Sequence, residues 1–306
     1  MPSDAWRGIY PAICTPFTPD DEVDLDAQRR VVRFVLEGGA HGIVAFGLAG
    51  EVLKLSTDER KALTDTILDE VGGAVPVFIG AGGPSIGAAI ELARYAEAVG
   101  ASCIVLPAPM SGALDESTLV DYFVRVASSV SIPVMIQDAP AYLGIGLGPS
   151  LVGRVAAGAD NVRLVKLEAG PVEMGAWIST LGPEFAIWGG DGGVYMLDCV
   201  RTGAAGIIPG SDLIDLLVQV YEAEAEGDPA RADELFRSVL PILLFEMQHS
   251  IDHYNACAKA VLVRRGVLEH AGLRPPAASF GDVSEFLLAQ HLARLDLAGE
   301  GVGVVD

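Results

Sequence analysis

Lysine is nearly missing from this chain. It occurs at Lys54, Lys61, Lys166 and Lys259 and nowhere else. Lysine and arginine total 20 against 41 acidic residues, a formal net charge of -21. A surface of that sign repels phosphate backbones and anionic headgroups, which argues against nucleic-acid and membrane-surface roles. It also repels anionic metabolites, so a site for one must be locally electropositive. Cysteine is scarce too: Cys14, Cys103, Cys199 and Cys257 form no CxxC pair, and each sits in an apolar segment. They read as buried free thiols. The histidines show no HExxH or similar spacing. His249, His253 and His270 fall in late helical segments, so no metal is expected. Long apolar runs are absent. No stretch approaches the roughly 20 residues that span a bilayer, although the mean hydropathy is positive. The opening Met1-Pro2-Ser3-Asp4-Ala5-Trp6-Arg7 lacks a basic stretch followed by an apolar one. No signal peptide is therefore expected, and the cytoplasm is the expected compartment.

What is present is apolar material in a regular rhythm. Of the 306 residues 51% are hydrophobic and 20% charged, enough for a sizeable core and unlike a disordered chain. Short β-rich runs fall at Ile9–Ile13, Gly42–Phe46, Val77–Gly80, Cys103–Leu106, Val134–Gln137, Arg163–Lys166, Ala186–Trp188 and Gly206–Ile208. Helix-period segments separate them. Asp26–Leu36 leads to Gly38-Gly39, and Ser56-Thr57-Asp58-Glu59 is a capping box opening a helix to Glu70. Ile86–Val99, Ser117–Ser128, Pro149–Ala156, Pro171–Leu181, Val194–Thr202 and Leu213–Glu226 follow. Eight strands, each followed by a helix, predict an α/β fold closed as a (β/α)8 TIM barrel. An open doubly wound sheet is the other arrangement, but no GxGxxG follows the first strand. The rhythm stops near residue 227. Asp228-Pro229 opens helical segments near Ala230–His249, Asn255–Arg265 and Val283–Leu295. The expected organisation is a barrel over residues 1–226 and a C-terminal helical extension over 227–306 packed on it.

The scarcity of lysine narrows the search for chemistry. Lys54 and Lys61 flank or occupy the second helix and read as solvated, and Lys259 lies in the tail. Lys166 closes an apolar strand, Val162-Arg163-Leu164-Val165-Lys166. Period-2 alternation puts Leu164 and Lys166 on one face. If that face is the barrel interior, the amine sits at the C-terminal mouth, where such barrels carry their active sites. An amine held out of water gives up its proton more easily and becomes a nucleophile. The alternative is an interior ion pair with Glu51 or Glu168. Other strand ends carry Gly47-Leu48-Ala49-Gly50-Glu51, Gln137-Asp138-Ala139-Pro140 and Gly189-Gly190-Asp191-Gly192-Gly193. Glycine turns at such ends let backbone N–H groups approach an anion.

Taken in order, these segments resemble the dihydrodipicolinate synthase / N-acetylneuraminate lyase family of class I aldolases and dehydratases. Gly8-Ile9-Tyr10-Pro11-Ala12-Ile13-Cys14-Thr15-Pro16-Phe17 is similar to the family's G-x-x-P-A-x-x-T-P-F opening. Gly47–Glu51 is similar to its G-T-T-G-E loop, Val165-Lys166-Leu167-Glu168 to the segment with the Schiff-base lysine, and Gly189-Gly190-Asp191 to its S/G-G-D. The likeness runs from about residue 7 to 211, with a weaker echo at Asn255–Lys259. It implies that Lys166 is the nucleophile and that Glu51 and Gln137 occupy catalytic positions. It further implies that Gly47, Leu48, Ala49, Asp138, Glu168, Gly189, Asp191 and Ile208 bind a small-molecule 2-keto acid. No metal or other cofactor is implied, and the expected assembly is a homotetramer built as a dimer of dimers.

The departures carry as much information. The two threonines of the family loop are Leu48 and Ala49, which leaves only backbone N–H groups to bind a carboxylate there. The family's Y-N-x-P, with its proton-shuttling tyrosine, is Gln137-Asp138-Ala139-Pro140. The arginine that marks a true dihydrodipicolinate synthase is Tyr142, and the paired tyrosines after the fourth strand give way to Pro107-Ala108-Pro109-Met110. The Gln-Asp-Ala-Pro form is most similar to the sugar-acid branch, the L-2-keto-3-deoxyarabonate dehydratases.

The resemblance implies a lyase in which Lys166 adds to the C2 ketone and the iminium acidifies C3. Retro-aldol cleavage then needs a base on the C4 hydroxyl. Gln137 cannot titrate and can only orient a hydroxyl or a water. Dehydration needs a base at C3 and an acid at the C4 oxygen, roles open to Glu51, Glu168 or the substrate carboxylate through a water. Glu51 reads equally as an acceptor for backbone N–H groups in its loop, and Asp138 as a cap of the following turn. Three functions remain: a dehydratase of a 2-keto-3-deoxy sugar acid, an aldolase releasing pyruvate, and a non-catalytic keto-acid-binding paralogue.

Overall fold

The computed structural model describes residues 6–109, 114–248 and 250–297. Met1–Ala5, Met110 and His249, named above, lie outside them. The strands are β1 (Gly8–Ile9), β2 (Ile43–Ala45), β3 (Val77–Gly80), β4 (Cys103–Pro107), β5 (Val134–Asp138), β6 (Val162–Leu167), β7 (Ala186–Gly189) and β8 (Gly206–Ile207). All neighbours are parallel, in the order β1-β8-β7-β6-β5-β4-β3-β2. Main chain beyond β1 closes the ring onto β2. Val44 N donates to Pro11 O at 2.9 Å, and Ile13 N donates to Val44 O at 3.0 Å. Ala12 bridges Val44 on one side and Gly210 on the other. The predicted strand Ile9–Ile13 is therefore a two-residue strand followed by a bridge. Pro11 has no N–H to give the ladder, which accounts for the interruption. Chain order follows the ring, and the fold is the (β/α)8 barrel that the strand count predicts.

Outside the strands lie α1 (Leu25–Glu37), α2 (Thr57–Val71), α3 (Ile86–Ala98), α4 (Glu116–Ala127), α5 (Pro140–Leu143), α6 (Gly148–Gly158), α7 (Pro171–Leu181), α8 (Met196–Thr202) and α9 (Ile214–Ala225). The capping box is formed: Glu59 N donates to Ser56 Oγ at 3.2 Å, and Ser56 N donates to Glu59 Oε2 at 2.8 Å. The single turn α5 is too short to show a period in sequence. Three helices follow the eighth unit: α10 (Pro229–Glu246), α11 (Ile251–Arg264) and α12 (Gly281–Ala293). Ser250 starts α11 ahead of the predicted Asn255, accepting from His253 N at 3.2 Å. Among the described residues no helix is long and apolar enough to cross a membrane.

Alternation along each strand builds two apolar layers. Val134, Ile136, Val165 and Leu167 pack toward the helices, while Tyr10, Phe78, Met135, Leu164 and Trp188 fill the barrel. The Tyr10 ring lies 4.7 Å from Trp188 and 5.0 Å from Phe78. Gly206 admits this plug, because a Cβ there would overlap the Trp188 ring. Fully burying a Phe-sized side chain contributes about 1.5–3 kcal/mol, so this plug is a stabilising floor beneath the barrel mouth. Gln137 and Lys166 continue the inward rows of Met135 and Leu164 above it, and they are neighbours in the β5–β6 register. β6 runs one residue beyond Lys166, to Leu167.

Candidate active site

Lys166 Nζ lies 2.6 Å from Glu168 Oε1, and each side chain is only 7% accessible. Of the two ion pairs considered for Lys166, the one with Glu168 is formed. Glu168 stands just past β6 and is held from three sides. Gln137 Nε2 donates to its Oε1 at 3.2 Å, and the backbone N–H of Asp191 donates to its Oε2. A Cβ at Gly190 would overlap this carboxylate, so only glycine allows the approach. The glycine turn after β7 thus does bind an anion through backbone N–H, and the anion is the protein's own Glu168.

Asp191 begins the one-turn segment Asp191–Gly193 with φ 49°. Phe46 and Glu51, beyond β2, share this left-handed backbone. Non-glycine residues held there cost about 1–3 kcal/mol each and gather at functional sites. Tyr142 Oη donates to Asp191 Oδ1 at 2.9 Å. Burial, and then the Glu168 charge, push the Asp191 carboxyl up to about 6 against the opposing pull of Tyr142 and Lys166. Burial, followed by the charges of Asp191 and Glu168, raises the Tyr142 phenol, so its proton stays in place at neutral pH.

These groups open into a cleft of about 410 Å³, counting the space open to solvent. Leu48, Ala49, Lys166, Glu168, Asp191 and Ile208 of the predicted site residues all line it, beside Ala12, Tyr142 and Pro209. The C-terminal helical region adds Met247, Ile251 and Tyr254. Gln137 reaches the site only through Glu168. Gly47 precedes the turn Leu48–Gly50, and Gly189 ends β7; neither lines the cleft. Asp138 is buried beside it, and its Oδ1 accepts from Leu147 N at 3.0 Å. Leu147 lies beyond the one-turn α5, just ahead of α6, so Asp138 ties the end of β5 to the start of that later helix and does not cap the turn directly after it.

Glu51 is turned away from the cleft. Its carboxylate is fully enclosed and accepts from Lys259 Nζ at 2.5 Å, Lys54 Nζ at 3.0 Å and Arg274 N at 3.1 Å. The expected acceptor role toward backbone N–H groups of its own loop is thus not what the structure shows: the donors are two lysines and the backbone N–H of Arg274. Lys54 is not a solvated lysine: it also pairs with Asp252 at 3.1 Å and is 17% accessible. Lys61 pairs with Glu91 at 2.5 Å. The echo at Asn255–Lys259 now has a physical meaning. Asn255 Nδ2 donates to Leu48 O at 3.2 Å, and Lys259 holds Glu51, so α11 anchors the loop 47–51. Sequence reasoning missed the places of Tyr142 and Tyr254. Tyr142 stood out only as a lost arginine, and no local pattern marks Tyr254.

The fold and this site define a (β/α)8-barrel enzyme with an amine and carboxylates at its C-terminal mouth. The chain belongs to the dihydrodipicolinate synthetase family, whose profile matches residues 5–292. It is 31% identical to a 4-hydroxy-tetrahydrodipicolinate synthase of Methanopyrus kandleri, over 96% of this chain and 98% of that one. It is 30% identical to the L-2-keto-3-deoxyarabonate dehydratase of Azospirillum brasilense, over 88% of each. The crystal structure of YagE, a prophage protein of the same family from Escherichia coli K12 in complex with pyruvate, matches with a TM-score of 0.89. That likeness has 28% identity and covers 95% of this chain and 99% of YagE. The protein is thus an enzyme among lyases, aldolases and dehydratases.

The raised Asp191 carboxyl gives a testable pH dependence. Its folded value of about 6 stands above the ordinary 3.8. Between those values the folded chain keeps a proton that the unfolded chain releases, so this group weakens folding as pH rises through that window. Asp191→Asn keeps an acceptor for Tyr142 and removes the charge. Its melting temperature should equal that of the wild type below about pH 4 and exceed it by a few degrees above about pH 6. Thermal melts across this range check it, and a pH-independent difference would refute the assignment.

Proposed function

We propose that this chain is a Schiff-base-forming lyase that dehydrates a 2-keto-3-deoxy sugar acid. The carrying observation is the Lys166–Glu168 pair at 2.6 Å, set above the packed aromatic floor of the barrel and open to a cleft in which Lys166 is, among the described residues, the one lysine or arginine. Glu168 takes a proton from the amine, and the neutral amine attacks C2. Glu168 returns that proton to the C2 oxygen and then carries a second one from the attached nitrogen to it, so that the oxygen leaves as water and the iminium keeps one N–H. The iminium then draws electrons from C3, and Glu168, a carboxylate again, accepts the C3 proton. Expulsion of the C4 oxygen completes the dehydration. The Leu48 and Ala49 N–H groups, which open the turn at the cleft wall, bond no protein acceptor among the described residues and suit the substrate carboxylate. The likeness to the Azospirillum dehydratase supports the substrate class, and pyruvate in YagE supports a 2-keto acid.

One observation favours an aldolase instead. Tyr142 brings an ionisable hydroxyl to the cleft, and retro-aldol cleavage needs a base on the C4 hydroxyl. That phenol, however, donates to Asp191 and is raised by its surroundings, so it is poorly placed to act as a base. The test is product analysis. A 2-keto-3-deoxy pentonate or hexonate should give a 2-keto acid lighter by one water, read by mass spectrometry. Coupling to lactate dehydrogenase should detect little pyruvate. Stoichiometric pyruvate would sink the dehydratase reading and establish the aldolase.

A further inference from the structure

Beside the cleft lies an acidic pair that the steps above do not use. Asp212, shortly after β8, and Glu246, at the end of α10, are 2% and 1% exposed. Each side chain is close enough to the other to hydrogen-bond it once one carboxyl carries a proton. Asp212 Oδ2 and Glu246 Oε1 meet no other donor among the described residues. Arg265 does not neutralise them: it donates to the Asp212 backbone oxygen at 2.8 Å and spends its other N–H groups on the Asp215 carboxylate. Among the described residues, Cys14, Cys257 and Tyr254 are further titratable groups facing the pair, and His253 stands next to Cys257. Two touching buried carboxyls cannot both ionise, so one proton stays between them. Burial and the Asp212 charge hold the Glu246 carboxyl well above the usual range.

Tyr254 stands between this pair and the cleft. It lines the cleft together with Lys166 and Glu168. A Cβ at Gly210 would overlap the Tyr254 hydroxyl and crowd Asp212 Oδ1, so the absence of a side chain at Gly210 lets the phenol and the carboxyl share one space. Among the described residues no group hydrogen-bonds that hydroxyl. Position 137 meanwhile holds an amide that cannot pass a proton.

We propose that Tyr254 is the proton donor to the departing C4 oxygen, with the Asp212–Glu246 pair as the proton store behind it. This rests on the dehydratase reading. The electrons of the enamine form the C3–C4 double bond, and the C4–O bond breaks with its pair on oxygen. The oxygen takes the phenol proton and leaves as water. The phenol takes the shared proton of the pair, and no phenolate accumulates. Burial and the surrounding acids raise the Tyr254 phenol well above its usual value, which favours such a relay over a free phenolate. The C3 proton on Glu168 later restores the pair through water in the emptied cleft.

Tyr254→Phe keeps the ring and removes the hydroxyl. Two readouts separate a chemical role from a structural one. Exchange of the pyruvate methyl protons in D2O requires Lys166 and Glu168 but no C4–O cleavage, whereas dehydration of a keto-deoxy acid requires both. In Tyr254→Phe, exchange should stay within about threefold of wild type while dehydration falls by about 10²–10⁴. Glu246→Gln keeps a hydrogen bond to Asp212 yet cannot release a proton. It should spare exchange and slow dehydration by at least about tenfold. Wild-type dehydration in Tyr254→Phe, or a parallel loss of both readouts, overturns the phenol's role. Wild-type dehydration in Glu246→Gln overturns the store. Pyruvate as the wild-type product sinks the parent reading and the donor direction together, whereas intact wild-type dehydration unaffected by Tyr254→Phe fails the phenol alone.

Discussion

Lys166→Ala is expected to lose turnover altogether, a fall on the order of 10⁶, as when a covalent enzyme loses its nucleophile. The other three lysines offer no substitute. Lys259 is sealed against Glu51, Lys54 is bound to Glu51 and Asp252, and Lys61 pairs with Glu91. None of them lines the cleft. Borohydride reduction of wild type in the presence of pyruvate or a keto-deoxy acid should add mass to a single peptide, the one containing Lys166. Mass on another lysine, or none with a substrate that is turned over, would refute the assignment. Removing the amine also leaves the Glu168 carboxylate without its cation, and separating a buried ion pair costs about 3–5 kcal/mol. Lys166→Met, closer in volume, serves as a second variant. Melting curves of both distinguish lost chemistry from lost folding.

The barrel was legible because each strand is a short apolar run, buried on both faces, between glycine or proline punctuation. Lys166 was legible for the same reason: it is the one lysine in such a run, and alternation puts it on the face of Leu164, opposite Arg163. The strand at Ile9–Ile13 was overread because its apolar residues continue past Pro11, while the ladder depends on the N–H that Pro11 lacks. The surroundings of Glu51 were not legible. Its partners Lys259 and Arg274 lie 208 and 223 positions away, and nothing in a local window announces a contact of that range. Lys54 misled for the same reason, since Asp252 is 198 positions distant. Tyr254 reaches the cleft only because α11 folds back over the barrel mouth, a consequence of tertiary packing that helical periodicity cannot express. Asp138 was a matter of direction. A carboxylate at a strand end can face the cleft or the chain beyond it with the same sequence, and here its Oδ1 accepts from Leu147 N, nine residues on.

Glu168→Gln is expected to lower turnover by about 10²–10⁴, or about 3–5 kcal/mol of barrier. Among the described residues Glu168 is the one carboxylate that pairs with the Lys166 amine, and the proposed mechanism has it serve that amine, the C2 oxygen and C3 in turn. A glutamine retains one oxygen for the Asp191 N–H but turns donors toward Lys166 and Gln137, which are themselves donors. The amide cannot take the C3 proton, so exchange of pyruvate methyl protons should fall together with dehydration. Imine formation requires only the neutral amine and should persist, more slowly, as borohydride-trapped mass on Lys166. That combination separates Glu168 from both of its neighbours: Lys166→Ala loses trapping and exchange alike, whereas Tyr254→Phe keeps both. The charge change carries a second signature. Glu168 is one of the groups that raise Asp191, so Glu168→Gln should move the Asp191 titration down from about 6 toward its ordinary 3.8. Carboxyl NMR across that range would follow it. Turnover within about threefold of wild type would leave no general-base role for Glu168, and the base would then have to be the substrate's own carboxylate acting through a water.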